Sequence, residues 1–274
     1  GVSASMSEPT SYSPSSNTVL KISLNGTLSD QTVENPFAII FGENEETLSL
    51  KDILKAIKEA KKSDKIKGIY LEAGSLSAGS SSIDAIRRAL IDFKESKKFV
   101  VAYGDSYTQG CYYLCSVADK VFVNPQGLLM LTGMSSQTMF YKGLLNKLGV
   151  EMLIFKVGTY KGAVEPFMLD KLSDANREQI SSYMNGIWNN VTKDIATSRK
   201  ISVDDINLFA NQGYAAELPG KAKECGLIDD LKYKPEAEAY VKELAGQTDD
   251  KFKTVGVDKV KNIKSSESKS KNKI

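Results

Sequence analysis

Gly68-Ile69-Tyr70-Leu71, then Ala73-Gly74-Ser75-Leu76-Ser77-Ala78-Gly79-Ser80-Ser81-Ser82, then Ile83, Ile86, Leu90 and Phe93 at helical spacing, then Phe99-Val100-Val101-Ala102-Tyr103: this stretch decides the fold class. It consists of a short apolar run, a small-residue connection, an amphipathic helix and a second short apolar run. Strands joined through a helix lie parallel, and strands that are apolar on both faces must be covered on both. The same alternation continues outward. Thr18-Val19-Leu20-Lys21-Ile22-Ser23-Leu24 has period two and predicts a strand closed by Asn25-Gly26. Ser49 can cap a helix with Ile53, Leu54, Ile57 and Ala60 on one stripe.

Downstream, Gly104-Asp105 turns into a helix carrying Tyr112, Tyr113, Leu114 and Val117. Val121-Phe122-Val123 and Leu128-Leu129-Met130-Leu131 predict strands separated by the turn Asn124-Pro125-Gln126-Gly127. A helix over 140–148 leads to a strand at Met152-Leu153-Ile154-Phe155. Ser173 caps a long helix reaching about residue 199, with Asp174 in its first turn. Shorter helices follow, and Leu227-Ile228 begins a last small element. The class is α/β with a mainly parallel sheet. The recurring strand, small-residue turn and helix also suggest stacked ββα units, which periodicity alone does not separate from a doubly wound sheet.

The 274 residues suffice for one large domain or two small ones, and 41% apolar content supports a real core. Net charge is +2, so nothing points to nucleic acid. The basic run over 259–273 is diluted by Ser, Asn and Glu and reads as a solvated tail. Residues 1–17 are Ser-rich and polar and are expected to be disordered, without the apolar core of a signal peptide. Residues 18–243 form the domain, and 244–274 are expected to be a polar linker. No apolar run is long enough to cross a bilayer. The three cysteines make no disulfide framework and no zinc spacing; Cys111 and Cys115 fall on one helix as small core residues.

The chain has no histidine, which removes Ser-His-Asp and Cys-His mechanisms and most zinc sites. A base working near neutral pH would then be a lysine or a carboxylate. Lys161, between Gly158 and Gly162 and near Tyr160, Val164, Pro166 and Phe167, is the candidate. Its pKa would have to fall by roughly three units from about 10.4, a cost on the order of 4 kcal/mol that only exclusion of water can supply. The plainer reading of such a lysine is a solvated loop residue. The stretch over 74–82 reads as a surface connection, or as the scaffold of an oxyanion hole at a helix start. Ser106 and Ser116 are the hydroxyls near the turn after residue 104, and neither sits in a Gly-x-Ser-x-Gly pattern.

Tyr107-Thr108-Gln109-Gly110-Cys111-Tyr112-Tyr113-Leu114, Asn124-Pro125-Gln126-Gly127 and Val157-Gly158-Thr159-Tyr160-Lys161-Gly162-Ala163-Val164-Glu165-Pro166-Phe167 resemble the signal peptide peptidase A (protease IV) family. The likeness runs over about residues 19–231. It implies a Clp-protease/crotonase-like fold built from stacked ββα units and a serine–lysine dyad without metal or cofactor. In the long form of the family two homologous halves follow each other, the first supplying the lysine and the second the serine. Lys161 matches the base, so this chain resembles a first half. Gln109 stands where the other half has its nucleophile, Gly74-Ser75-Leu76 where it has a Pro-Gly-Gly oxyanion loop, and Met134 where it has a lysine-steadying serine.

The resemblance implies a membrane-associated serine endopeptidase that degrades cleaved signal peptides. It also implies a homo-oligomer (a tetramer for two-half chains), the periplasmic face of the bacterial inner membrane, and an amino-terminal anchor absent here. The fragment alone is expected to be inactive. The rivals are a non-catalytic assembly module of the same fold, a crotonase-type acyl-CoA enzyme, and a self-contained peptidase using Ser106 or Ser116.

Overall fold

The computed structural model describes residues 12–30, 47–155, 158 and 160–263. The chain divides into two compact units, one made of 1–132 and 195–274 and the other of 133–194.

The first unit carries β1 (Thr18–Ser29), β2 (Thr47–Ser49), α1 (Leu50–Lys62), β3 (Ile66–Ser77), α2 (Ser80–Lys94), β4 (Phe99–Gly104), β5 (Tyr107–Thr108), α3 (Gln109–Cys115), β6 (Lys120–Val123) and β7 (Leu129–Met130). Its main sheet has the order β2-β1-β3-β4-β6-β8, with β8 at Asp230–Leu231, and every pairing is parallel. β5 and β7 form a second parallel ladder. Each unit from β4 onward therefore lays one strand in each sheet: β6 beside β4, and β7 beside β5. A doubly wound sheet has no such second ladder, so the stacked ββα arrangement is the one present.

The helices form where local signals and burial agree. Ser49 caps α1 by accepting from the Asp52 N–H at 3.2 Å, and Ile53, Ala56, Ile57 and Ala60 are buried. At the other end, the Lys98 ammonium donates to the carbonyls of Ala60, Lys61 and Ser63 at 2.8, 3.1 and 2.7 Å, satisfying groups a helix terminus leaves open. Ile83, Ile86, Leu90 and Phe93 are the buried stripe of α2. On one face of the sheet, Val19, Tyr70, Val101, Tyr103 and Phe122 pack with Ala237 and Val241 of α9 (Lys234–Leu244). The alternate residues Leu20, Ile69, Leu71, Val100, Ala102 and Val121 are buried as well, as a sheet covered on both faces requires.

Several expectations are corrected. Asn25-Gly26 does not close β1. It makes a register shift there, with Gly26 at φ 93°, and the strand continues to Ser29. The small-residue stretch after residue 73 is not a loop either: β3 pairs with β1 as far as Ser77, because the extended β1 offers a ladder that small side chains do not obstruct. Residues 12–17 are anchored, with Tyr12 bridging Ile263 and Asn17 donating to the Gly246 carbonyl at 2.9 Å; residues 1–11 lie outside the described part. The segment beyond 243 is not a free linker. β9 (Thr254–Val255) pairs with β1, Phe252 packs edge-on against Tyr70, and Val260 of α10 (Val257–Val260) is fully buried. A few apolar residues in a polar stretch suffice when each reaches the core. Of the expected basic tail, Lys261 pairs with Asp52, and 264–273 lie outside the described residues.

The second unit holds α4 (Lys142–Lys147), a 3-10 turn (Gly162–Val164), α5 (Glu165–Met168) and most of α6 (Asp174–Arg199), whose last turn falls in the first unit. The strand expected at Met152-Leu153-Ile154-Phe155 does not form. A strand needs a partner for its backbone groups, and none pairs with this run among the described residues. Its Leu153 is 80% exposed and its Phe155 96%.

Candidate active site

The turn from β4 to α3 is built for close approach. Thr108 caps α3, accepting from the Cys111 N–H at 3.4 Å. Gly127 lies against the neighbouring loop, where a Cβ would fall 1.7 Å from the Asp105 carbonyl oxygen. Asp105 accepts from the Tyr103 hydroxyl at 2.6 Å and from Asn124 Nδ2 at 2.9 Å; these two bonds hold its carboxyl below the ordinary range. Gln109 is the first residue of α3, and its Oε1 accepts from the Thr132 N–H at 3.1 Å.

The hydroxyls near this turn are engaged in structure. Ser106 Oγ accepts from the Leu128 N–H at 2.9 Å. Ser116 is fully buried; its Oγ donates to the Tyr113 carbonyl at 2.9 Å and accepts from Arg87 Nη1 at 2.7 Å. Neither is presented as a nucleophile, which removes the support for a self-contained peptidase. Cys111 and Cys115 are buried on α3 as expected of small core residues.

Lys161 lies in the second unit, just before the 3-10 turn, with φ −85° and ψ 72°. It is exposed and borders a cleft of about 590 Å³ that Tyr160, Ala163, Pro166, Ile180 and Tyr183 also line. Its apolar neighbours do not bury it: Tyr160 is 56% exposed and Phe167 turns its ring onto Tyr141. A base at this position would need water to be excluded from the cleft. Met134 is exposed and follows Gly133, whose φ is 81°. Lys156, Val157 and Thr159 lie outside the described residues.

The turn after Lys161 is held from below by a buried carboxylate whose role the sequence reading passed over. Glu165 is buried, and its carboxylate accepts from Ser173 Oγ at 2.6 Å, the Ser173 N–H at 3.1 Å and Asn176 Nδ2 at 3.1 Å. Ser173 Oγ in turn accepts from the Asn176 N–H at 3.2 Å, capping α6 as its sequence predicts. Gly162 abuts Asn176 so closely that a Cβ would stand 2.3 Å from Nδ2. One available signal was a glutamate four residues after Lys161 inside an apolar stretch, a position a surface carboxylate would not favour.

Residues 92–248, which include both Gln109 and Lys161, match peptidase family S49. The chain belongs to this family. It is 41% identical over 167 residues to Protease 4 of Salmonella typhi, covering 60% of this chain and 27% of that protein. It is 34% identical over 211 residues to Protease 4 of Haemophilus influenzae, covering 74% of this chain and 34% of that protein. A solved membrane-bound stomatin-specific protease aligns over 83% of this chain and 85% of its own at 11% identity, with a TM-score of 0.44. The S49 chain described here spans only about a third of the length of the curated relatives it matches. The family likeness read from the three motifs is thus a relationship extending well beyond them. Among the described residues no helix is long and apolar enough to cross a membrane, and no cluster of three or more Cys, Asp or Glu could hold a metal ion.

Proposed function

We propose that this chain is the lysine-bearing half of a serine endopeptidase that degrades cleaved signal peptides, with Lys161 as general base. The serine comes from a second half outside the chain. Its hydroxyl attacks the scissile carbonyl while Lys161 takes the proton, and Lys161 returns that proton to the leaving amine. Lys161 then deprotonates the water that hydrolyses the acyl-enzyme. The observation that carries this reading is an exposed lysine on an anchored turn beside an apolar cleft, within the S49-matching segment, in a chain whose own candidate hydroxyls are occupied.

The work is shared between chains or halves in this reading, so the second unit must meet a partner. Its exposed Leu144, Leu148, Leu153 and Phe155 favour assembly into a homo-oligomer, with a tetramer as the expected form. A place on the periplasmic face of the bacterial inner membrane belongs to the same proposal. The competing readings are a non-catalytic assembly module of the same fold and a crotonase-type acyl-CoA enzyme.

The test has two arms. In the intact protein, Lys161→Ala removes peptide hydrolysis, and Lys161→Arg does not restore it, because a guanidinium stays protonated. Near-normal turnover by the arginine variant would show that positive charge, not proton transfer, is what the site needs. A serine-directed fluorophosphonate leaves the chain alone unlabelled; stoichiometric labelling of Ser106 or Ser116 with hydrolysis would sink the half-enzyme reading.

A further inference from the structure

A buried carboxylate is costly unless donors surround it, so its presence under a candidate catalytic turn calls for a reason. Glu165 is 1% exposed and opens α5, three residues after Gly162. Three of its bonds go to the amino-terminal end of α6, to the capping Ser173 and to Asn176. Asn176 does two things at once: its side-chain amide donates to Glu165, and the same amide fills the space where a side chain on Gly162 would be. The turn is therefore fixed at both ends of a four-residue span, by a polar tie at Glu165 and a steric stop at Gly162. Lys161 is the residue immediately before that stop. Apolar packing alone would hold the turn without fixing its orientation, whereas short directional bonds to a buried anion fix both.

We propose that Glu165, Ser173 and Asn176 form a clamp that positions Lys161, with Glu165 as its anchor. This rests on the reading of Lys161 as the base and adds to it the residues that aim it. None of the three is a catalytic residue; each acts through the backbone of the turn.

The experiment is done on the intact protein with Glu165→Gln and Ser173→Ala, beside Lys161→Ala as reference. Glutamine keeps the shape of glutamate but removes the charge and leaves one acceptor oxygen where the carboxylate offers two, so the charge-assisted bonds to Ser173 and Asn176 are weakened. A displacement of about 1 Å at a catalytic group costs about 100-fold in rate, so Glu165→Gln lowers kcat by roughly 10- to 100-fold with KM within about twofold. The acid limb of its pH–rate profile moves, because the base is no longer held in one environment. Ser173→Ala removes the hydroxyl's bond to the carboxylate together with the cap of α6, and lowers kcat by about 3- to 10-fold beyond any loss of folded protein, again at nearly constant KM. If Glu165→Gln does not fold, Ser173→Ala carries the test by itself. Unchanged kcat and pH profile in a folded variant, or losses of kcat that merely track the folded fraction, overturn the clamp. Full activity of Lys161→Ala overturns the general-base reading instead, so the two failures are told apart.

Discussion

Gly162→Ala is the sharpest probe of the turn that carries Lys161. An ideal Cβ at this position falls 2.3 Å from Asn176 Nδ2, 2.4 Å from its Cγ and 2.5 Å from its Oδ1. Ordinary contact needs about 3.4 Å or more, so the two groups must part by about 1 Å. Asn176 cannot swing away freely: it sits in the first turn of α6 and its Nδ2 holds Glu165 at 3.1 Å. Losing that bond leaves a buried carboxylate short of a donor, at a cost of about 1–3 kcal/mol. Against this, alanine restricts the unfolded chain and gains about 0.4–1 kcal/mol where its backbone is permitted, as in this 3-10 turn. The net is a loss of up to about 2.6 kcal/mol, centred on about 1.3 kcal/mol, or roughly 3–5 °C in Tm. If the turn moves instead of Asn176, Lys161 moves with it, and turnover falls by about 100-fold. Thermal melts and peptide hydrolysis by the intact protein read both effects. Gly186→Ala is the control: it lies on the same helix α6, a Cβ there meets nothing within 4 Å, and the substitution raises helix stability by up to about 1 kcal/mol. A Gly162→Ala protein with turnover within twofold and a Tm equal to or above the parent would refute the reasoning.

Two further predictions concern the first unit. Burial alone would raise the Asp229 carboxyl, but the Val121 N–H at 2.8 Å, Arg199 at 2.7 Å and Lys120 at 3.2 Å outweigh it and hold the group below its ordinary range. A depressed folded-state pKa contributes stability that is present above the unfolded value of about 3.9 and is lost as pH falls through the folded value. Urea midpoints measured from pH 6 downward should therefore drop below about pH 4, and Asp229→Asn should lie lower at neutral pH with a shallower acid slope; an unchanged slope would mean Asp229 is not a coupled group. Val260→Ala should cost about 1–2 kcal/mol in urea unfolding, since the side chain is fully buried. A change within about 0.5 kcal/mol would restore the view of this segment as an unpacked linker.

The α/β class and the parallel sheet were legible because each signal was local. Val100, Val101 and Ala102 are adjacent in sequence and apolar on both faces, so they report a covered strand without any knowledge of what covers it. The stripe of Ile83, Ile86, Leu90 and Phe93 reports its helix in the same way. Lys161 was singled out as a candidate because the chain lacks histidine and because the motif around it resembles a known family. Where a reading failed, the deciding partner was remote. Gly74 to Ser77 looks like a loop until β1 lies alongside, and Met152 to Phe155 looks like a strand although none of the described residues pairs with it. Phe252 and Val255 look too sparse to pack until each meets a core residue more than a hundred positions away, and Val260 is fully buried beside them in the chain.

By itself, then, the sequence determined most of the succession of strands and helices, that this chain supplies no histidine, and which lysine to propose as a base. These follow from side-chain type and from the periods of 3.6 and 2, which neighbouring residues carry between them. Only the tertiary structure decided that ββα units stack into two ladders, that the carboxy-terminal segment returns to β1, and that Glu165 is buried among Ser173 and Asn176. Each of those depends on hydrogen bonds or burial between groups far apart or differently oriented along the chain. Such pairings depend on where distant atoms meet, which local residue patterns alone do not give.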